Sequence, residues 1–172
     1  MSARIQVSDL LAHPGTARSV DGAVPMSVQL PNASIDGEAT FDAEIRSLTD
    51  GVVARGTAGA TVALTCTRCL KDWVAVAAAP IDAVFRLHPD LDGDELPVEP
   101  GGWIDLGPVV HDETVLGIPA RPLCRQECLG LCPTCGTDLN VEPCEGHGDI
   151  VESPFAALAQ LFADETPHEP ES

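Results

Sequence analysis

The chain has 172 residues and carries 27 Asp and Glu against nine Lys and Arg, a formal charge of −18, with 44% of its residues apolar. That length suits one ordinary domain, alone or with a small appended module, and excludes two large independent domains. With four Phe, two Trp and no Tyr, the core must be aliphatic. The negative charge repels a phosphate backbone at long range and argues against a nucleic-acid binder built on a basic stripe.

At the start, Ile5 and Val7 alternate with polar residues before Asp9-Leu10-Leu11 and the breaker His13-Pro14-Gly15. This predicts a short strand or turn of helix, then a loop. The opening lacks the basic and apolar regions of an export signal, and no run of about 18 apolar residues occurs, so a cytoplasmic protein without a membrane span is expected. From 28 to 85 the pattern becomes β. Phe41, Ala43 and Ile45 alternate with charged neighbours, Asp50-Gly51 is a hairpin signal, and 52–65 is rich in β-branched residues. Cys66-Thr67-Arg68-Cys69 then interrupts two such runs, which places a C-x-x-C at the tip of a hairpin.

Residues 88–113 hold eight acidic residues, no Lys or Arg, and several Pro and Gly. Most of this stretch reads as an acidic loop. A short helix follows with Asp105 as its N-cap and Leu106, Val109 and Val110 facing the sheet, until Gly117 and Pro119 stop it. A last helix is signalled by Ser153 as N-cap, Pro154 at the first helical position, and Phe155, Leu158, Leu161 and Phe162 on one face. The tail from 163 on, with four acids and two prolines, is expected to be disordered.

Six cysteines form three close pairs, Cys66/Cys69, Cys124/Cys128 and Cys132/Cys135, and Cys144 and His147 follow as Cys-x2-His. In a reducing compartment such spacing favours a metal over disulfides. A tight turn points two thiolates at one ion, and Zn²⁺ accepts soft sulfur in tetrahedral geometry without redox chemistry. Gly136, directly after Cys135, supplies the backbone angle that closes such a turn. Three groupings remain open: Cys66 and Cys69 with Cys132 and Cys135; the local set Cys124, Cys128, Cys132 and Cys135; or all seven thiols and His147 around two ions. The bland alternative is that some thiols are buried small hydrophobes. A thioredoxin-like role would need the motif at a helix N-terminus in a βαβ setting, which neither C-x-x-C has.

No G-x-S-x-G, Walker A, G-x-G-x-x-G or H-E-x-x-H motif occurs, which weighs against an enzyme. His111-Asp112-Glu113 reads as a solvated helix face. Arg68 and Lys71 flank the first cysteine pair and suit charge balance for thiolates somewhat better than phosphate contact. Trp73 and Trp103 read as packing residues rather than stacking platforms.

The Cys66-Thr67-Arg68-Cys69-Leu70 hairpin, Ile104-Asp105-Leu106 leading to Ile118-Pro119, Leu123-Cys124 through Gly130-Leu131-Cys132-Pro133-Thr134-Cys135-Gly136, Asp138-Leu139-Asn140, and Ser153-Pro154-Phe155-Ala156-Ala157-Leu158 together resemble the YceD family. The resemblance covers roughly residues 3–162. It implies a bacterial and plastid group linked to accumulation of large-subunit ribosomal RNA, hence ribosome assembly. Members with the full cysteine set often carry Cys-x-Cys where this chain has Cys144-Glu145-Gly146-His147, so either His147 replaces a thiolate or the last site is degraded. Some members lack much of that C-terminal cluster, which argues for a structural metal.

The expected architecture is α+β. A mainly antiparallel β domain covers 1–123, with an acidic loop at 88–104 and a packed helix at about 105–117. A Cys-rich, zinc-knuckle-like loop follows at 124–150, then a helix at 151–162 and a disordered acidic tail at 163–172. The expected function is a non-catalytic ribosome-biogenesis accessory factor with structural Zn²⁺, its acidic stretch 88–113 meeting a ribosomal protein or a pre-ribosomal large-subunit particle. The alternatives are a zinc-dependent hydrolase or nuclease acting on RNA, or a thiol-based redox switch.

Overall fold

In the computed structural model, which describes residues 2–90 and 93–147, the alternation of the sequence is realised as four strands of 14 or 15 residues. In chain order the elements are β1 (Arg4–Gln6), α1 (Ser8–Ala12), β2 (Ala17–Leu30), β3 (Ala33–Ser47), β4 (Gly51–Thr65), β5 (Asp72–Arg86), β6 (Leu96–Pro97), β7 (Trp103–Asp105) and α2 (Gly107–Leu116). The main sheet runs β2-β3-β4-β5-β6, antiparallel except for the β5–β6 pair, and β1 pairs antiparallel with β7. At about 3.3 Å per residue each long strand extends roughly 50 Å. The turn between β4 and β5 therefore lies at one end of a long ribbon, beside the β2–β3 turn, where the Thr65 N–H donates to the Asn32 carbonyl at 2.9 Å.

One face of these strands is apolar. Ile35, Phe41 and Ile45 of β3, Val62 and Leu64 of β4, and Ile81 and Phe85 of β5 are buried. They form one cluster with Ile104, Leu106 and Val110, which β7 and α2 bring onto the sheet. The opposite face carries the intervening residues, mostly polar or small but including the exposed Val74 and Val76 of β5, as period-2 alternation requires.

The chain is mostly β with two short helices, and three details differ from expectation. The sheet begins at Ala17 rather than near residue 28. β2 is an edge strand that buries only Val24 and Met26, so its sequence carries little apolar signal, and Pro25 is tolerated because an edge strand can forgo a ladder hydrogen bond. The stretch 88–104 is less open than a solvated loop: it contributes β6 and β7, and Glu95 and Glu99 pair with Arg86 at 3.0 Å and Arg4 at 2.5 Å. The second helix starts at Gly107, with Leu106 rather than Asp105 at the N-cap. Asp105 is held in β7 opposite Arg4, and its carboxylate accepts from the Gly107 and Ala3 backbone N–H groups, both at 2.8 Å, and from the Ser2 hydroxyl at 3.0 Å. Partial burial works against the charge, but those donors hold the carboxyl below its usual 3.8.

The chain divides into two compact units, Met1–Gly130 and Leu131–Ser172. The division falls inside the cysteine-rich run 124–150, so Cys124 and Cys128 belong to the same unit as the long sheet. The helix expected at 151–162 and the tail at 163–172 lie outside the described residues.

Candidate metal centres

The eight predicted ligands fall into two groups of four, Cys66, Cys69, Cys124 and Cys128 in the first unit and Cys132, Cys135, Cys144 and His147 in the second. Within each group all ligand atoms lie within 4.8 Å of one another. Of the groupings left open by spacing, this is the division of seven thiols and one imidazole into two sets.

The first group is assembled by two distant segments. Cys66 directly follows β4, its N–H donates to the Lys71 carbonyl at 2.9 Å, and the Leu70 N–H donates back to the Cys66 carbonyl at 2.9 Å. This turn presents Cys66 and Cys69 from the hairpin tip. The segment carrying Cys124 and Cys128 is fastened to the same tip by the Thr67 N–H on the Pro122 carbonyl at 2.9 Å and by Arg68 Nη1 on the Cys128 carbonyl at 2.8 Å. Arg68, singled out for its charge, thus holds the second pair of thiols against the first. Cys66, Cys69 and Cys128 are buried, while Cys124 stands at the edge of the group, partly open to solvent.

The second group repeats the same turn. The Cys132 N–H donates to the Thr137 carbonyl at 2.8 Å and the Gly136 N–H to the Cys132 carbonyl at 2.9 Å, the pattern seen at Cys66 with every position matched. The residue after the second cysteine is left-handed in both turns, Leu70 at φ 58° and Gly136 at φ 74°. Glycine adopts that angle freely, whereas leucine does not. Asp138 organises the way out of this turn: it bridges to Leu131, its carbonyl accepts from the Val141 N–H, and its carboxylate takes the Asn140 backbone and side-chain N–H groups. Cys144 and His147 then return to the pair.

The spacing within the groups matches a tetrahedral ion. Four sulfurs each about 2.3 Å from zinc stand about 3.8 Å apart. Cys66 and Cys128 Sγ are separated by 3.8 Å, Cys69 and Cys124 by 3.6 Å, and Cys135 and Cys144 by 3.8 Å. His147 Nε2 lies 3.0 Å from Cys144 Sγ and 3.3 Å from Cys132 Sγ, so it occupies the fourth corner of the second group.

Electrostatics within each group are uneven. Burial pushes the Cys66 thiol up, but the backbone N–H groups of Cys124, Cys69 and Arg68 outweigh it and bring the thiol to about 6. Burial, reinforced by the neighbouring thiols Cys69, Cys128 and Cys66, pushes Cys124 up to about 12. In the second group the Thr137 hydroxyl and N–H and the Cys132 thiol lower Cys135 to about 6, and the backbone of Cys135 and Thr134 lowers Cys132. Cys135 and Cys132 together raise His147. Four crowded thiols cannot all ionise without a cation to offset them, and a divalent ion removes that conflict by binding them as thiolates. Thr137, 3.1 Å from Cys135 Sγ, was missed from sequence, and its only sequence signal is a hydroxyl directly after Gly136.

Four protein donors fill the shell of a four-coordinate ion in either group. A catalytic zinc instead keeps a position open for water. Among the described residues no helix is long and apolar enough to cross a membrane.

The family model described as large ribosomal RNA subunit accumulation protein YceD matches residues 54–162. The chain is 30% identical over 172 residues to an uncharacterized protein of Mycobacterium tuberculosis and to one of Mycobacterium bovis, and each alignment covers 94% of this chain and 82% of that protein. It is 26% identical over 176 residues to an uncharacterized protein of Mycobacterium leprae, covering 96% of this chain and 80% of that one. No solved structure matches.

Proposed function

The chain belongs to the YceD family of large ribosomal RNA subunit accumulation proteins, and from that membership we propose that it is a non-catalytic accessory factor of ribosome biogenesis supporting accumulation of large-subunit (23S) ribosomal RNA. The family match over 54–162 carries this conclusion. Both thiol groups hold structural zinc: Cys66, Cys69, Cys124 and Cys128 bind one ion, and Cys132, Cys135, Cys144 and His147 bind the other. The first ion clasps the hairpin tip to the segment behind it, and the second gives a short, loop-rich segment a fixed shape it has few apolar residues to hold. Closed four-donor shells support a role without chemistry. The partner is a ribosomal protein or pre-ribosomal large-subunit particle in the cytoplasm, met through the acidic surface, because a charge of −18 favours a basic protein over direct contact with RNA.

Deleting the gene in its source organism and measuring large-subunit against small-subunit ribosomal RNA tests the proposal. The large-subunit RNA should fall and recover when the intact chain is restored. An unchanged ratio refutes the proposed role.

A further inference from the structure

The outward face of the long sheet carries a groove whose two sides differ in chemistry. Thr40, Gly59 and Ala78 lie side by side in register across β3, β4 and β5, and the low floor they make opens a groove of about 560 Å³. On the β3 side it is walled by Glu38 and Asp42, and on the β5 side by Val76, which is 72% exposed.

The charges of this face do not cancel. It presents Asp21, Asp36, Glu38, Asp42, Glu44, Asp72 and Asp82 against Arg46, Arg55 and Arg86. All three guanidiniums are already engaged, Arg46 with Glu44 at 2.6 Å, Arg55 with Asp82 at 3.2 Å and Arg86 with Glu95 at 3.0 Å. Among the described residues no ion pair reaches Asp21, Asp36, Glu38 or Asp42. Asp21 of β2 moreover stands directly opposite Asp42 of β3 in the register, a like-charge arrangement that destabilises a sheet. By contrast, Glu95, Glu99 and Asp105 in the acidic stretch 88–113 are bonded within the fold.

We propose that this groove docks a protein segment bearing arginine and lysine. Two strand spacings of about 4.8 Å set its width near 10 Å, the scale of one long basic side chain laid flat. The aliphatic stem covers Val76 and Ala78, and the charged head reaches Glu38 and Asp42. A bare metal ion would make no use of the apolar side. The proposal rests on the accessory-factor role above and locates its basic partner on the sheet face rather than on 88–113.

The test uses the full-length, metal-loaded chain and a fluorescein-labelled twelve-residue peptide in which arginine and lysine alternate with valine and serine, followed by fluorescence anisotropy. Glu38→Gln with Asp42→Asn should weaken binding about tenfold, from the loss of two exposed charge contacts. Asp94→Asn with Asp112→Asn makes the same charge change on 88–113 and should leave binding within about twofold. Because Asp42→Asn removes a like-charge pair, it should raise the melting temperature while weakening binding, which loss of structure could not do. Equal weakening by both double variants, no binding at low salt, or full competition by spermidine at equal charge would overturn the proposal. In the deletion strain, the Glu38→Gln/Asp42→Asn chain should accumulate normally and fail to restore large-subunit RNA. Full restoration would refute the docking site while leaving the ribosomal role standing, whereas a deletion without effect on the RNA would refute the role itself.

Discussion

Replacing Cys66 by alanine should remove one of two bound ions and leave the other untouched. The intact chain offers seven thiolates and one imidazole to two ions, an average shell of about 3.5 sulfurs and 0.5 nitrogen per ion. The 3.6 and 3.8 Å separations of Cys69 from Cys124 and of Cys66 from Cys128 are those of thiolates that share a tetrahedral ion at about 2.2 to 2.3 Å, the ordinary zinc–thiolate distance. Without Cys66 the surviving ion sits among Cys132, Cys135, Cys144 and His147, and the shell should shift to three sulfurs and one nitrogen. Cys132→Ala should do the reverse, leaving four sulfurs and abolishing the nitrogen signal. Elemental analysis gives the count, and X-ray absorption at the zinc edge on protein purified without added metal gives the shell. Loss of both ions from either single variant, or loss of the nitrogen signal from Cys66→Ala, would refute the assignment to two separate sites.

Four other substitutions probe the fold. Leu70→Gly should stabilise the metal-loaded chain by about 0.5–1 kcal/mol in thermal unfolding, because glycine adopts the left-handed angle at this turn without the steric cost leucine bears; Gly136→Ala should destabilise by about as much. Asp105→Asn should cost about 1 kcal/mol at neutral pH, allowing for solvent screening. A carboxyl depressed below 3.8 in the folded state contributes stability that is full above about pH 4 and lost as pH falls through the folded value. Acid unfolding of the intact chain and the variant should therefore converge below that point, and parallel curves would contradict the role given to this carboxylate. Thr114→Val should be neutral or stabilising by up to about 1 kcal/mol, since the hydroxyl is buried without a partner among the described residues and its removal relieves a desolvation penalty; a clear loss of melting temperature would mean that the hydroxyl is bonded.

Local signals foretold the hairpin with Cys66 and Cys69 at its tip and the helix that stops near Gly117, because each depends on a few neighbouring residues. Gly136 likewise announced its left-handed turn, but nothing in Leu70 announced the same geometry. The grouping of the thiols was not legible. It depends on Pro122 and Cys128 returning to the hairpin tip, which backbone carbonyls accomplish and side-chain spacing does not record. The start of β2 was hidden by small and polar residues suited to an edge. Asp105 looks like a cap in sequence because its carboxylate does meet a helical N–H, but pairing of its backbone with Arg4 keeps it one residue outside.

The two groups differ in how far along the chain their members lie. Cys66 and Cys128 are 62 positions apart, while Cys132 and His147 are separated by only 15. Bringing the ends of a flexible chain together costs entropy that grows with the logarithm of the intervening length, and between these two spans the difference is about 1.3 kcal/mol, or nearly a factor of ten in closure equilibrium. A fully unfolded chain offered scarce zinc should therefore close the short span first. The long span should close more readily once β4 and β5 have paired and delivered the hairpin tip, so zinc occupancy there would follow formation of the sheet.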